Sequence, residues 1–240
     1  MKHLFWLFFV SLSCAQAADK SADPASVALK EKLSKNYGQL LGPIQQVNPS
    51  AANGLFEVVT QDQILYVDGS GQFLFDGNLV DLKSRRNLTE ERKRQVFAID
   101  FSKLPLDLAV VKVKGNGKRK LAYFTDPNCG FCKKLEQELK KVNDVTLYLF
   151  LYPIFNGSAE KVESVWCSKD RAKAWDDLML NGVQPNAAKC SNTIAKVKEL
   201  GARFHINGTP ALIFSDGALV PGYLPAADLE NALNAATAIH

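Results

Sequence analysis

A chain of 240 residues is long enough for one large domain or two small ones. With 47% hydrophobic and 22% charged residues it has the balance of a globular protein and not of a disordered or fibrous one. The net charge of +4 comes with short basic runs (Lys83 to Arg86, Arg92 to Arg94, Lys118 to Lys120) that have acidic or turn residues nearby, so they read as solvated faces and argue against a nucleic-acid partner.

The chain opens with an export signal. Lys2 gives a positive start, Leu4 to Leu12 is an apolar run, and Ala15-Gln16-Ala17 has the form of a cleavage site. The run is too short to span a membrane as a helix. A lipid-anchored alternative would acylate Cys14, but Ser11 fits poorly three positions before it. The boundaries that follow are residues 1–17 as signal peptide, 18–86 as a small N-terminal domain, 87–104 as a linker helix and 105–240 as a second, larger domain.

Within the first domain, Ser26 to Tyr37 places Val27, Leu29, Leu33 and Tyr37 loosely at helical spacing, which predicts a short amphipathic helix stopped by Gly38. Gly42-Pro43 and Asn48-Pro49 read as turns. Leu55 to Thr60, Ile64 to Val67, Phe73 to Phe75 and Leu79 to Leu82 predict an antiparallel meander punctuated by Asp-Gly turns. Such a unit buries little core and gains by pairing with a second copy. Asn87-Leu88-Thr89-Glu90 then resembles a capping box, and Glu90 to Phe101 reads as a semi-rigid helical linker.

The second domain begins after Pro105. Leu108 to Val113 and Lys120 to Thr125 read as a hairpin around Gly115-Asn116-Gly117. A helix follows to about Val142, and Val145 to Tyr152 is a near-continuous apolar run, the pattern of a strand buried on both faces. Strand, helix, strand makes a βαβ unit. Ser158 to Leu180 and Ser191 to Phe204 read as helices, Ala211 to Ser215 with Ala218 to Pro221 as a second hairpin, and Pro225 to Ala236 as a final helix.

Chemistry concentrates at Cys129-Gly130-Phe131-Cys132, between an apolar strand and a helix. Positions i and i+3 share a helix face, so the two sulfurs can meet. The unpaired N–H groups and positive dipole end of a helix N-terminus favour a thiolate, which makes Cys129 the expected reactive and exposed member. Loss of Cys14 with the signal leaves Cys129, Cys132, Cys167 and Cys190, an even number that favours disulfides in an exported chain. With the first two paired by local spacing, Cys167 and Cys190 remain as a structural bridge. A zinc site built from all four is disfavoured because Cys167 and Cys190 do not form a close pair, and no metal or cofactor is expected. Gly208-Thr209-Pro210 precedes a hydrophobic strand. A cis bond at Pro210 would turn the Thr209 backbone toward the dithiol and offer hydrogen bonds to an extended substrate.

This arrangement resembles the thioredoxin fold. More narrowly, the chain resembles periplasmic protein disulfide isomerases of the DsbC type through Phe124-Thr125-Asp126, Cys129-Gly130-Phe131-Cys132, Gly208-Thr209-Pro210-Ala211 and Leu219-Val220-Pro221-Gly222-Tyr223. The resemblance implies an α+β two-domain chain: a cystatin-like antiparallel dimerisation domain, a linker helix, and a thioredoxin fold with a helical insert braced by Cys167 and Cys190. It implies a periplasmic homodimer that isomerises or reduces wrong disulfides in misfolded exported proteins. Cys129 and Cys132 would be catalytic, and Gly130, Phe131, Thr209 and Pro210 would contact substrate. A membrane reductase of the DsbD type would restore the dithiol, and a cleft between two catalytic domains would act as a chaperone. Phe131 departs from the family's frequent Gly-Tyr pair by lacking the phenol hydroxyl. The alternatives are a DsbG-like reductase of oxidised single cysteines, a non-enzymatic periplasmic chaperone and a monomeric thiol oxidase. His205 reads as a surface or hinge residue, and Glu136 and Glu138 read as solvated positions on the active-site helix.

Overall fold

The computed structural model describes residues 23–238, so the signal peptide and Cys14 read from the sequence lie outside the described residues. The chain divides into two compact units, Met1–Gly77 and Asn78–His240.

In the first unit, helix α1 (Pro24–Leu41) starts where Asp23 accepts the Ser26 N–H at 3.1 Å and ends at Gly42, whose φ is +69°. Gly38 does not stop it: Leu41, a turn later, joins Leu29 and Leu33 against Val47, Val58, Leu65 and Val67. Apolar surface left to bury outweighs the propensity of one glycine. The sheet is antiparallel, in the order β1 (Gln46–Pro49), β2 (Leu55–Val59), β3 (Ile64–Asp68), β4 (Leu74–Phe75). The turn signal at Asn48-Pro49 hides a strand, because Pro49 closes an edge strand, where proline is tolerated. At the opposite edge, Phe73, Leu74 and Phe75 are exposed.

The fourth predicted strand of the meander belongs elsewhere. β5 (Val80–Asp81) pairs with β6 (Arg86–Asn87) in a separate two-stranded ribbon, and both fall in the second unit. Helix α2 (Leu88–Val96) begins where Asn87 accepts the Glu90 N–H at 3.1 Å. It is shorter than the sequence suggests. Beyond it the Ile99 N–H donates to the Gly217 carbonyl at 2.8 Å, and Ile99, Phe101 and Leu104 are buried in the core of the second unit. These apolar residues gain more from that burial than from extending a helix.

The larger sheet has five strands in the order β11-β10-β8-β9-β7: β7 (Val110–Lys114), β8 (Arg119–Thr125), β9 (Val145–Leu151), β10 (Ala211–Phe214) and β11 (Leu219–Pro221). β8 and β9 are parallel, as a βαβ unit requires, and the other pairs are antiparallel. The predicted hairpin between β7 and β8 does not form, because β9 lies between them. Gly115 (φ +56°) and Gly117 (φ +64°) carry the chain past the start of β9, where the Asn116 N–H donates to Asp144 at 2.9 Å. A Cβ on Gly115 would lie 2.2 Å from the Asp144 carboxylate, so only glycine fits.

The helices cover both faces of this sheet. Leu121, Tyr123, Leu147, Leu149 and Leu151 face α3 (Gly130–Leu139), α4 (Ser158–Trp166), α5 (Arg171–Asn181) and α7 (Ala226–Thr237). Alternate residues Ala122, Phe124, Phe150 and Tyr152 pack on Val197 and Leu200 of α6 (Ile194–Arg203), with Ile99, Phe101 and Leu104. Burial on both faces is why β9 reads as an unbroken apolar run. The predicted helix from Ser158 to Leu180 is two helices. Asp170 caps the second by accepting the Lys173 N–H at 2.9 Å, and Arg171 stacks on Trp166 at 3.8 Å across the break. Among the described residues, no helix is long and apolar enough to cross a membrane.

Candidate active site

β8 delivers the dithiol to one end of the sheet. After Thr125 the chain turns on Asp126, whose side chain accepts the Asn128 N–H at 2.7 Å and whose carbonyl accepts the Cys129 N–H at 3.2 Å. Cys129 is the N-cap of α3, and its sulfur accepts the Cys132 N–H at 3.3 Å. The sulfur therefore sits at the helix N-terminus with a backbone donor directed at it. Both cysteines are free thiols. The sequence reading of Cys129 as exposed is corrected: it is 5% exposed, against 0% for Cys132, because the turn before α3 and the Thr209 loop close around it. Burial pushes the Cys132 thiol up to about 12, partly opposed by the Asp126 backbone. Cys132 is therefore protonated at neutral pH.

The second wall is the loop before β10. The Thr209–Pro210 peptide is cis, and the Thr209 carbonyl accepts from Cys129 Sγ at 3.1 Å. Strand register brings this about: Ala211 pairs with Phe124 at the end of β8, so the residues just before it meet the residues just after Thr125. The Gly222 N–H donates to the Pro210 carbonyl at 2.7 Å, which ties the loop after β11 to the same place. Gly130 faces open space. Phe131, 56% exposed, stacks on Tyr223 with ring centroids 6.1 Å apart, and the Lys134 ammonium lies over its ring at 5.2 Å from the centroid.

Cys167 at the end of α4 and Cys190 before α6 are joined by a disulfide of 2.03 Å. The bridge lies apart in sequence from the dithiol and braces the helical insert. His205 is exposed at the end of α6, with φ of 54°.

Three acids carry more than their sequence positions suggested. Asp126 is fully buried, and besides Asn128 it accepts from the Ile154 N–H at 2.7 Å, the Phe155 N–H at 3.1 Å and the Ser158 hydroxyl at 2.6 Å. It joins the turn bearing Cys129 to the loop after β9. Glu136, read as solvated, is 1% exposed. It accepts from the Tyr123 hydroxyl and the Trp175 indole N–H, each at 2.7 Å, and pairs with Lys112 at 3.2 Å. Lys112 also pairs with Asp176. Burial and then the Glu136 charge push the Tyr123 phenol well above its ordinary range. Burial alone would lower the Lys112 ammonium, but the carboxylates of Glu136 and Asp176 outweigh it and raise it. The signal was present in the sequence: 132, 135, 136 and 139 make one helical face, and three of them are Cys or Leu. Glu138 is not free either; it accepts the Ala226 N–H that opens α7 and pairs with Lys141.

A thiol pair at a helix N-terminus, set against a cis-proline loop on a sheet of this order, belongs to the thioredoxin-fold thiol–disulfide oxidoreductases. Comparison with known proteins narrows the class. A model of the thioredoxin-like domain matches residues 106–237, and a model of the disulfide bond isomerase N-terminal domain matches residues 15–90. The probable thiol:disulfide interchange protein DsbC of Bordetella parapertussis is 40% identical over 217 residues, covering 90% of this chain and 75% of the relative. The thiol:disulfide interchange protein DsbC of Haemophilus influenzae is 33% identical over 231 residues, covering 94% and 96%. The crystal structure of a disulfide interchange protein from Neisseria gonorrhoeae is 44% identical with a TM-score of 0.54, covering 55% of this chain and 97% of that one. The chain belongs to the DsbC family of thiol:disulfide interchange proteins and is an oxidoreductase acting on disulfides.

Proposed function

We propose that this protein isomerises or reduces incorrect disulfides in exported proteins of the periplasm, with Cys129 as nucleophile and Cys132 as resolving thiol. The observation that carries the reading is the placement of Cys129 Sγ, 3.3 Å from the Cys132 N–H and 3.1 Å from the Thr209 carbonyl. The first contact puts a backbone donor on the sulfur, and the second sets a main-chain edge beside it. The Cys129 thiolate attacks one sulfur of a wrong disulfide, forms a mixed disulfide and releases the other substrate sulfur as a thiolate. When a substrate thiolate attacks elsewhere in the same chain and displaces Cys129, the disulfide is rearranged and the enzyme leaves reduced. When Cys132 loses its proton and attacks Cys129 instead, the substrate leaves as a dithiol and Cys129–Cys132 is oxidised. A membrane reductase of the DsbD type returns two electrons by a further exchange. Thr209, Pro210, Gly130 and Phe131 contact the substrate.

The protein acts as a homodimer. The N-terminal family match supports this, as do Phe73, Leu74 and Phe75, which lie exposed together at one edge of a small unit. Exposed apolar side chains also suit it to hold unfolded chains as a chaperone. Refolding of a scrambled multi-disulfide protein tests the reading. Cys129→Ala should abolish recovery of native disulfides while still suppressing aggregation of a substrate without cysteines. Full isomerase activity in that variant would sink the assignment.

A further inference from the structure

The loop after β9 is immobilised in a way its own side chains do not explain. Ile154 and Phe155 are 39% and 49% exposed, yet both of their backbone N–H groups donate to the fully buried Asp126. The Asn128 side chain adds a bond to the Asn156 carbonyl at 2.8 Å, and Lys161 holds Asn128 from the far side at 2.7 Å. Exposed apolar residues on a surface loop ordinarily sit on a backbone free to move. Here the backbone is fixed to the residue whose other oxygen fixes the turn leading into Cys129.

Strand order says where this loop lies. β8 and β9 run parallel, β10 starts and β11 ends at the same end of the sheet, and the order is β11-β10-β8-β9. The Phe131–Tyr223 stack therefore stands on the β11 side of the dithiol and Ile154–Phe155 on the β9 side, with Cys129 between. A polypeptide cystine presented to Cys129 carries residues on either side of it, and the segments flanking Cys129 on both sides expose apolar side chains: Phe131 on one, Ile154 and Phe155 on the other.

We propose that Ile154 and Phe155 form a preorganised apolar subsite, facing the Phe131–Tyr223 wall, that selects polypeptide disulfides flanked by large apolar side chains. This rests on the reading of Cys129 as nucleophile. Disulfides of that kind are buried in a correctly folded protein and become available when it is misfolded, so the subsite discriminates by sequence context and not by the disulfide itself. Ordering a loop in advance lowers the entropic cost of binding.

Two oxidised peptides of equal length, one cystine each, test it. One carries Leu and Phe beside the cystine, the other Ser and Asn. The reduced full-length protein should consume the apolar peptide about tenfold faster, the preference expected from burying roughly half of one large apolar side chain. In the double variant Ile154→Ser, Phe155→Ser the ratio should fall to about twofold or less. A ratio near one in the native protein, or near tenfold in the variant, overturns the subsite. A variant that merely loosens the loop lowers both rates together and keeps the ratio, so it too counts against the proposal. Glutathione disulfide has no flanking chain and separates the two levels: if the native protein exchanges with neither peptide nor with glutathione disulfide, the nucleophile assignment fails and the subsite with it.

Discussion

Replacing Glu136 by alanine tests whether the buried acid beneath the dithiol holds the domain together. The carboxylate is the acceptor for the Tyr123 hydroxyl and the Trp175 indole, both at 2.7 Å in a site closed to water. Removing it strands two buried donors, at about 1–3 kcal/mol each. Lys112 keeps Asp176 and adds less. The loss should total about 3–5 kcal/mol, against a whole-domain stability of about 5–15 kcal/mol. Glu136→Gln keeps an oxygen facing Tyr123 and Trp175 but turns an amide toward the Lys112 ammonium, and should cost only about 1–2 kcal/mol. Urea denaturation of the reduced protein, followed by tryptophan fluorescence, measures both. A Glu136→Ala variant within about 1 kcal/mol of wild type, or a glutamine variant as unstable as the alanine one, would refute the reasoning.

Other consequences follow from single contacts. A Cβ on Gly201 would lie 2.6 Å from the Tyr152 ring, whose hydroxyl donates to the Ile206 carbonyl at 3.2 Å. Gly201→Ala should therefore cost about 1–3 kcal/mol by overpacking and slow turnover by shifting the loop that leads to Thr209, as thermal melts and insulin-reduction rates would report; an unchanged melt would count against it. Removing the Cys167–Cys190 bridge, with its sequence separation of 23, should cost about 3 kcal/mol through the unfolded chain. Denaturation of the double serine variant checks it, and a loss below about 1 kcal/mol would show the insert is held by packing alone. Because burial raises the Cys132 thiol to about 12, its contribution to stability is complete below about pH 8.5 and is lost as pH climbs toward 12. Reduced wild type should lose stability relative to Cys132→Ser with a slope approaching about 1.4 kcal/mol per pH unit above about pH 9; parallel pH profiles would contradict a buried, protonated Cys132.

What the sequence by itself determined is local. The Cys129–Cys132 spacing, the apolar strand Leu121 to Phe124 leading in and the helix leading out are carried by contiguous residues. The Thr209-Pro210 pair before a strand was legible for the same reason. Tertiary structure decided whatever depends on distant neighbours. The Gly115-Asn116-Gly117 turn has good hairpin chemistry, yet β9, entering about 30 residues later, takes the place beside β7. Glu136 is a helix-forming acid in isolation and becomes buried only because Tyr123, Lys112 and Trp175 arrive from two strands and another helix to satisfy it. Ile154 and Phe155 look like ordinary loop residues until Asp126, 28 positions earlier, fixes Ile154 beside the dithiol. Periodicity and turn chemistry report a residue's sequence neighbours, whereas burial, charge satisfaction and the walls of the site depend on which elements the fold brings against it.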